Sequence, residues 1–296
     1  AKLTLQAGYE VNYETGQGPR ILNQEQNQLD LAGFMSLEYR PHRKLSLKPG
    51  IRYGYNSSFE AIPIPSFHAR FQPIKSLTLR ASYARGFRAP SLKELFFEFV
   101  DVNHNIYGNP DLLAESSHNA QVGASLDKAL SKKVRFTAEA NGFYNYIDNQ
   151  IRLTLVNVTE DSLVYRNENI SYFRSLGTRV QSGLQWKGLQ VQAGWSYTGV
   201  ENGLQNIPDD QNRLAFFHEG RLNLGYDLRR YRTSFQLFFK YTGRQPFLYS
   251  SFDENLQTSV VQEGYIDGFA NMDASITQRF LKNRVTVTFL ARNLMN

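Results

Sequence analysis

The chain has 296 residues, no cysteine, and 33 Lys+Arg against 27 Asp+Glu, a net charge of +6. The missing cysteine excludes a disulfide framework, thiolate metal sites and thiol nucleophiles, and so mild a basic excess, with no dense basic run, calls for no nucleic-acid partner. No window approaches the roughly 18 consecutive apolar residues of a membrane-spanning helix, yet 41% of the chain is apolar and 14% aromatic, too much for a disordered chain.

Alternation of period two begins at once. Leu3, Leu5, Ala7, Tyr9, Val11 and Tyr13 interleave with Lys2, Thr4, Gln6, Gly8, Glu10 and Asn12. Because Ala1-Lys2-Leu3-Thr4 already reads as strand and not as a signal peptide, a processed chain or a fragment is expected. Further on, Leu77, Leu79, Ala81 and Tyr83 oppose Thr78, Arg80 and Ser82; Val134, Phe136, Ala138 and Ala140 oppose Arg135, Thr137 and Glu139. The pattern returns in Leu189–Tyr197, in Tyr231–Tyr241 and in Val285–Ala291. Successive strand side chains point to opposite faces, so each segment has one apolar and one polar face. Thirteen strands are expected, at 2–13, 29–40, 44–56, 64–73, 77–87, 117–128, 133–147, 174–187, 189–200, 217–228, 231–243, 267–280 and 284–295. Many exceed the five or six residues usual in soluble sheets and match the roughly 9–11 that cross a bilayer at a tilt.

The connections alternate as well. Those at 41–43, 74–76, 129–132, 188, 229–230 and 281–283 are short; those at 14–28, 57–63, 88–116, 148–173, 201–216 and 244–266 are longer. An up-and-down sheet with tight turns at one rim and large loops at the other produces this, the asymmetry of outer-membrane barrels. Aromatic residues crowd the apolar face at strand ends leading into the long loops: Tyr9 and Tyr13, Tyr53 and Tyr55, Tyr144 and Tyr146, Trp195 and Tyr197, Phe239 and Tyr241. Such rings suit a membrane–water interface. The competing fold is a soluble β-sandwich; strand length and an almost uniformly polar second face argue against it. The expected fold class is all-β, an antiparallel up-and-down transmembrane β-barrel, incomplete in residues 1–296, which form one partial barrel domain without a plug. The inward-facing Arg80, Arg135, Glu139, Arg179, Arg221 and Arg279 are expected to pair with one another or with plug residues.

Residues 83–95 read Tyr-Ala-Arg-Gly-Phe-Arg-Ala-Pro-Ser-Leu-Lys-Glu-Leu, and Gly108-Asn109-Pro110-Asp111-Leu112 follows, with Glu115. This pair resembles the barrel of TonB-dependent outer-membrane receptors, in which a strand ends in GFRAPSxxEL and GNPDLxPE leads into the next; Ala114 stands where that family usually has Pro. Phe143–Ile151 and Asn293-Leu294-Met295-Asn296 resemble two further family elements. Arg85 interrupts the apolar face at the outer rim, where a guanidinium can reach headgroups or a carboxylate. Pro90 stops the ladder and Asn109-Pro110-Asp111 makes a turn. On turn chemistry, the structural motif Phe87, Arg88, Ala89, Pro90, Asn109, Pro110, Asp111 and Leu112 is loop architecture before it is ligand contact.

The resemblance implies a 22-stranded barrel with an N-terminal plug and a TonB-contacting segment, set in the outer membrane of a Gram-negative bacterium. It implies active import of a scarce nutrient: an iron complex such as a siderophore or haem, or cobalamin. The alternatives are a glycan or peptide importer working with a surface lipoprotein, and a passive porin or adhesion barrel. No catalysis and no resident cofactor are expected; haem enters as a possible transported ligand. Partners implied are the TonB complex, outer-membrane lipid and lipopolysaccharide, and a small-molecule ligand. Haem-uptake members of the family are similar in placing a histidine between the two motif elements, here His104, with Tyr107 as a second possible axial ligand. Phe96, Phe97 and Phe99 could wall a haem and Arg88 could meet propionates; the loop could equally pack on itself. Arg244 and Tyr249, with Phe247, Phe252 and Tyr265, suit ligand capture or lipopolysaccharide contact. Asp209 and Asp210 are weak calcium candidates, short of the six to eight oxygens calcium takes.

Overall fold

In this computed structural model the described residues are 2–101, 105–159, 162–203, 214–253 and 258–295, the side chains of 155–162 and 248–263 excepted. Thirteen strands form one continuous antiparallel path. They are β1 (Lys2–Gln17), β2 (Glu25–His42), β3 (Leu45–Asn56), β4 (Ile64–Ile74), β5 (Leu77–Arg88), β8 (Glu115–Ser131), β9 (Val134–Thr159), β10 (Ser162–Trp186), β11 (Leu189–Gly203), β12 (Ala215–Leu228), β13 (Thr233–Thr242), β16 (Phe269–Phe280) and β17 (Val285–Ala291). A short helix α1 (Leu92–Phe96) and strands β6 (Phe99–Val100) and β7 (Asn105–Tyr107) lie between β5 and β8; a separate hairpin, β14 (Gln245–Asp253) and β15 (Thr258–Ile266), lies between β13 and β16. Among the described residues β1 pairs only with β2 and β17 only with β16, so the barrel is not closed there.

Register carries each face coherently across the sheet. Leu5 stands opposite Leu37, Phe71 opposite Leu79 and Val180 opposite Trp195. Tyr9 is 85% exposed and Phe289 71%, with Leu3, Val11, Ile51, Tyr53 and Val122 also exposed on that face. The other face is concave and lined by Glu, Arg, Gln, Asn and Ser. Among the described residues the buried apolar side chains are Leu92, Leu95, Leu112, Ile151 and Ile170. None lies between two layers of this sheet; they sit in the outer connections. A sheet with no apolar interior and one continuous apolar exterior is what lipid selects and water does not.

Aromatic stacking at the long-loop end follows the expected girdle. Trp195, Tyr197 and Phe216 stack in succession, with centroids 6.0 and 4.9 Å apart, and Tyr146 stacks on Tyr172 at 5.7 Å. At the same level the outward face turns polar along one register row: Arg85 opposite His118, His118 opposite Tyr146, Tyr146 opposite Arg174, Arg174 opposite Glu201. Arg174 and Tyr172 both bond Glu201, the tyrosine at 2.6 Å. Arg85 finds no carboxylate among the described residues, and its Nε is buried without a partner.

Three expected loops are largely sheet. Residues 148–173 continue β9 and β10 as a long hairpin, 244–266 form β14–β15, and β1 and β2 extend to leave a connection of 18–24. Above the bilayer nothing requires one apolar face along a whole strand, so long alternation does not mark these strands; beside the ladder, buried Ile151 and Ile170 and the side-chain bonds of Asn167 and Asn169 hold the β9–β10 hairpin. The last strand is shorter than expected. It ends at Ala291, where Asn293 takes φ 57° and its N–H meets Asp273 Oδ1 at 2.8 Å.

Candidate functional site

The expected site residues fall mainly in the connection between β5 and β8. Arg88, the last residue of β5, stands opposite Glu115, the first of β8. Its guanidinium donates Nε and Nη2 to the two oxygens of Glu115, each at 2.8 Å, and Nη1 to both oxygens of Glu94 at 3.0 and 2.9 Å. One planar fork thus ties two strand ends to α1. Glu115 also accepts the Ile151 N–H at 2.7 Å, extending the tie to β9. Phe87 and Ala89 flank Arg88; Pro90 is fully buried and ends the ladder.

Helix α1 begins with a capping box that sequence reading passed over. In Ser91-Leu92-Lys93-Glu94 the Glu94 N–H donates to Ser91 Oγ at 3.3 Å, and the Ser91 N–H to Glu94 Oε2 at 2.8 Å. The S-x-x-E spacing was the available signal. Burial raises the Glu94 pKa, but the Arg88 guanidinium, the Ser91 N–H and the Ser91 hydroxyl outweigh it and hold the carboxyl below its ordinary value. Leu92 and Leu95 are buried, and Leu95 forms with Leu112 and Ile151 a small core against which Phe59 and Phe96 pack.

The second motif closes this unit. Asn109 is buried; its Oδ1 accepts the Asp111 N–H at 3.0 Å, an Asx turn through Pro110, and its Nδ2 donates to the Asn167 carbonyl at 2.9 Å. Asn167 returns a bond to the Glu94 carbonyl at 3.3 Å. Asn169 and Leu113 exchange two bonds, at 2.8 and 3.1 Å. Gly108 is required by contact: a Cβ there would lie 2.5 Å from the Leu95 carbonyl oxygen. Arg88, Pro90, Asn109 and Leu112 thus meet in one base whose Asn109 bonds β10.

From this base rises a tip. Strand β6 pairs with β7, Val100 opposite Asn105, and β7 runs parallel to β10 with Ile106 opposite Tyr165 and Tyr107 opposite Arg166. Tyr107 is thus on a strand of the unit, while His104 lies outside the described residues. The three phenylalanines divide. Phe96 joins the small core; Phe97 and Phe99 stack at 6.2 Å, with Lys93 over one ring and Arg20 over the other. Under the unit lies a polar recess of about 270 Å³, where Arg52 pairs with Glu10 at 2.7 Å and Asn56 with Asp30 at 2.6 Å.

The other candidates stand apart from it. Arg244 covers the Tyr265 ring at 4.4 Å and approaches Asp267 at 3.7 Å. Tyr249 sits on β14 opposite Gln262, its side chain outside those described. The β14–β15 hairpin touches β9, so both groups meet the long β9–β10 hairpin. Asp209 and Asp210 lie outside the described residues, and among those described no three His, Asp or Glu groups gather to hold a metal.

Comparison with known proteins places the chain. The hemoglobin and hemoglobin-haptoglobin-binding protein of Haemophilus ducreyi is 43% identical over 61 residues, 21% of this chain and 6% of that protein. The hemoglobin-haptoglobin utilization protein B of Neisseria meningitidis is 32% identical over 154 residues, 51% of this chain and 18% of that one. Of solved structures, the siderophore receptor PirA from Pseudomonas aeruginosa superposes with a TM-score of 0.72 at 18% identity, over 99% of this chain and 50% of its own. The FrpB iron transporter from Neisseria meningitidis gives 0.70 at 14%, over 99% and 48%. The chain spans about half the length of these structures and matches still smaller shares of the curated relatives. Residues 3–294 match the family model of the TonB dependent receptor-like β-barrel, and with a sheet of this topology and outward face the chain belongs to the TonB-dependent receptors, β-barrel proteins of the Gram-negative outer membrane.

Proposed function

We propose that residues 1–296 are part of the barrel wall of a receptor that imports an iron complex, with haem iron the first candidate cargo. The observation that carries this is the family match over nearly the whole chain together with relatives named for haemoglobin, haptoglobin and haem. Outside these residues the reading includes a plug domain and a segment that contacts the TonB complex. The ligand binds at the outer rim and energy relayed from the inner membrane releases it inward. No covalent bond is made or broken, and haem is cargo, not a resident cofactor.

The motif base supports the division of labour. Four hydrogen bonds from Arg88 go to Glu94 and Glu115, so it holds the loop, and ligand contact falls mainly to the tip. In the same connection of the sequence His104 and Tyr107 supply residue types that ligate haem iron. Arg244, just ahead of the other hairpin, and Tyr249, on it, serve as rim contacts for ligand or lipopolysaccharide.

The test is growth of an iron-starved, receptor-null strain carrying the full-length gene, with haemin or haemoglobin as sole iron source and a TonB-deficient control. Growth that needs both gene and TonB supports the reading. Growth on a ferric siderophore but not on haemin moves the cargo within the iron class. Growth on a glycan or peptide alone, or a steady ion current through the purified full-length protein, removes iron import.

A further inference from the structure

The concave face of β3, β4 and β5 carries two guanidiniums, an ammonium and an imidazole on adjacent strands. Lys48 stands opposite His68, and Arg70 directly opposite Arg80. Like charges placed directly opposite one another destabilise a strand pair, so a sheet keeps such a pair at a cost. Elsewhere on this face cations meet acids: Arg52 meets Glu10 at 2.7 Å, Lys240 meets Glu219 at 3.2 Å, Arg135 meets Asp127. Arg70 reaches only the neutral Gln72, at 3.0 Å, and Arg80 only the hydroxyl of Ser125, at 3.2 Å. Neither forms an ion pair among the described residues. Of the nearby carboxylates, Glu38 is paired with Arg40 and also accepts from Ser46, each at 2.8 Å, and Glu139 accepts from the Asn141 amide at 2.9 Å. The four basic groups share a concavity of about 330 Å³ with one carboxylate, Glu38, and with Ser46, Ser82, Gln121 and Asn141. Arg70 and Arg80 are exposed there. Arg70 is five residues and Arg80 four from the 75–76 turn, roughly 13–17 Å of strand at about 3.3 Å per residue. The patch therefore lies near the short-turn rim, opposite the end that bears the motif base.

We infer that this patch is an anion subsite on the cargo's way out, for a ligand bearing two or more carboxylates, as haem bears two propionates. It rests on the import reading above. A guanidinium pair in a recess walled by protein focuses field on an anion and binds carboxylate by paired N–H donors. Cargo released from the outer rim gains a second resting place before it leaves the barrel.

The experiment uses the full-length receptor at matched surface level: wild type, Arg70→Gln/Arg80→Gln, and the charge-preserving Arg70→Lys/Arg80→Lys. Cells take up haemin or haemin dimethyl ester, which lacks free carboxylates; surface binding is read separately in de-energised cells. The glutamine variant should lose at least about tenfold in haemin uptake, as expected for losing one or more charge-assisted contacts, with surface binding and ester uptake unchanged and the lysine variant, which keeps the charges but loses the forks, falling between. Unchanged haemin uptake overturns the inference, as does an equal fall for the ester. So does a fall that comes with lowered thermal stability of the barrel, which assigns the patch to an acidic segment of protein. Titration of citrate into the purified receptor keeps this inference apart from the haem reading. Citrate binding lost in the glutamine variant supports the patch even where haemin is not imported; identical behaviour of wild type and variant overturns it.

Discussion

Arg88 and Glu115 close the base of the longest motif-bearing loop by two parallel hydrogen bonds of 2.8 Å, across the register position where β5 and β8 part. The same guanidinium holds Glu94, so removing it leaves two carboxylates facing each other without a cation. The Arg88 side chain is 44% exposed, and solvent screening reduces what the pairs contribute. Arg88→Ala should cost about 1–2 kcal/mol locally, seen as faster amide exchange at 105–112 with the barrel's own unfolding unchanged. Arg88→Lys, which keeps charge but loses the fork, should fall between.

Acid should loosen the same base. Glu94 has its pKa depressed in the folded state, so its contribution is fully present above the unfolded value of about 4.3 and fades as pH falls through the lower folded value. Protection at 91–96 should therefore drop on acidification below about pH 4. Glu94→Gln should show low protection at neutral pH and little further change with acid.

Gly108 permits backbone contact with the Leu95 carbonyl. Gly108→Ala should push the second motif off α1 at a cost of about 1–3 kcal/mol, the range for overpacking. Limited proteolysis should then cut between 97 and 113 in the variant and not in the wild type.

The two faces of β13 should respond differently to the same change. Leu237 is on the outward face and Gln236 on the inner one. Leu237→Arg should cost about 2–4 kcal/mol in bilayer refolding titrations, as charges facing mid-membrane do, whereas Gln236→Arg should change stability by well under half of that.

The barrel strands were legible because lipid imposes the rule: each crossing must alternate, so Tyr231–Tyr241 or Val285–Ala291 declares both its state and its faces. The outer hairpins of residues 148–173 and 244–266 were not, because outside the bilayer that rule lapses. The two motif elements stood out in sequence, and turn chemistry at Pro90 and Asn109 pointed to where the ladder stops and the chain turns. What joins them did not: Arg88 and Glu115 are 27 residues apart, and only the register of β5 on β8 makes them neighbours. The Arg70–Arg80 opposition is hidden in the same way, each arginine reading alone as one more polar inward residue.

The central claim is that the apolar face of this sheet lies against lipid. The chain has two tryptophans, Trp186 and Trp195, both on that face and about half exposed. Fluorescence of Trp195, with other tryptophans replaced by Phe and the full-length receptor in bilayers of acyl-chain-brominated lipid, tests it directly. The account predicts strong quenching by the brominated chains and little by aqueous iodide. Fluorescence indifferent to bromine in the lipid but quenched by iodide, or shielded from both, would contradict it.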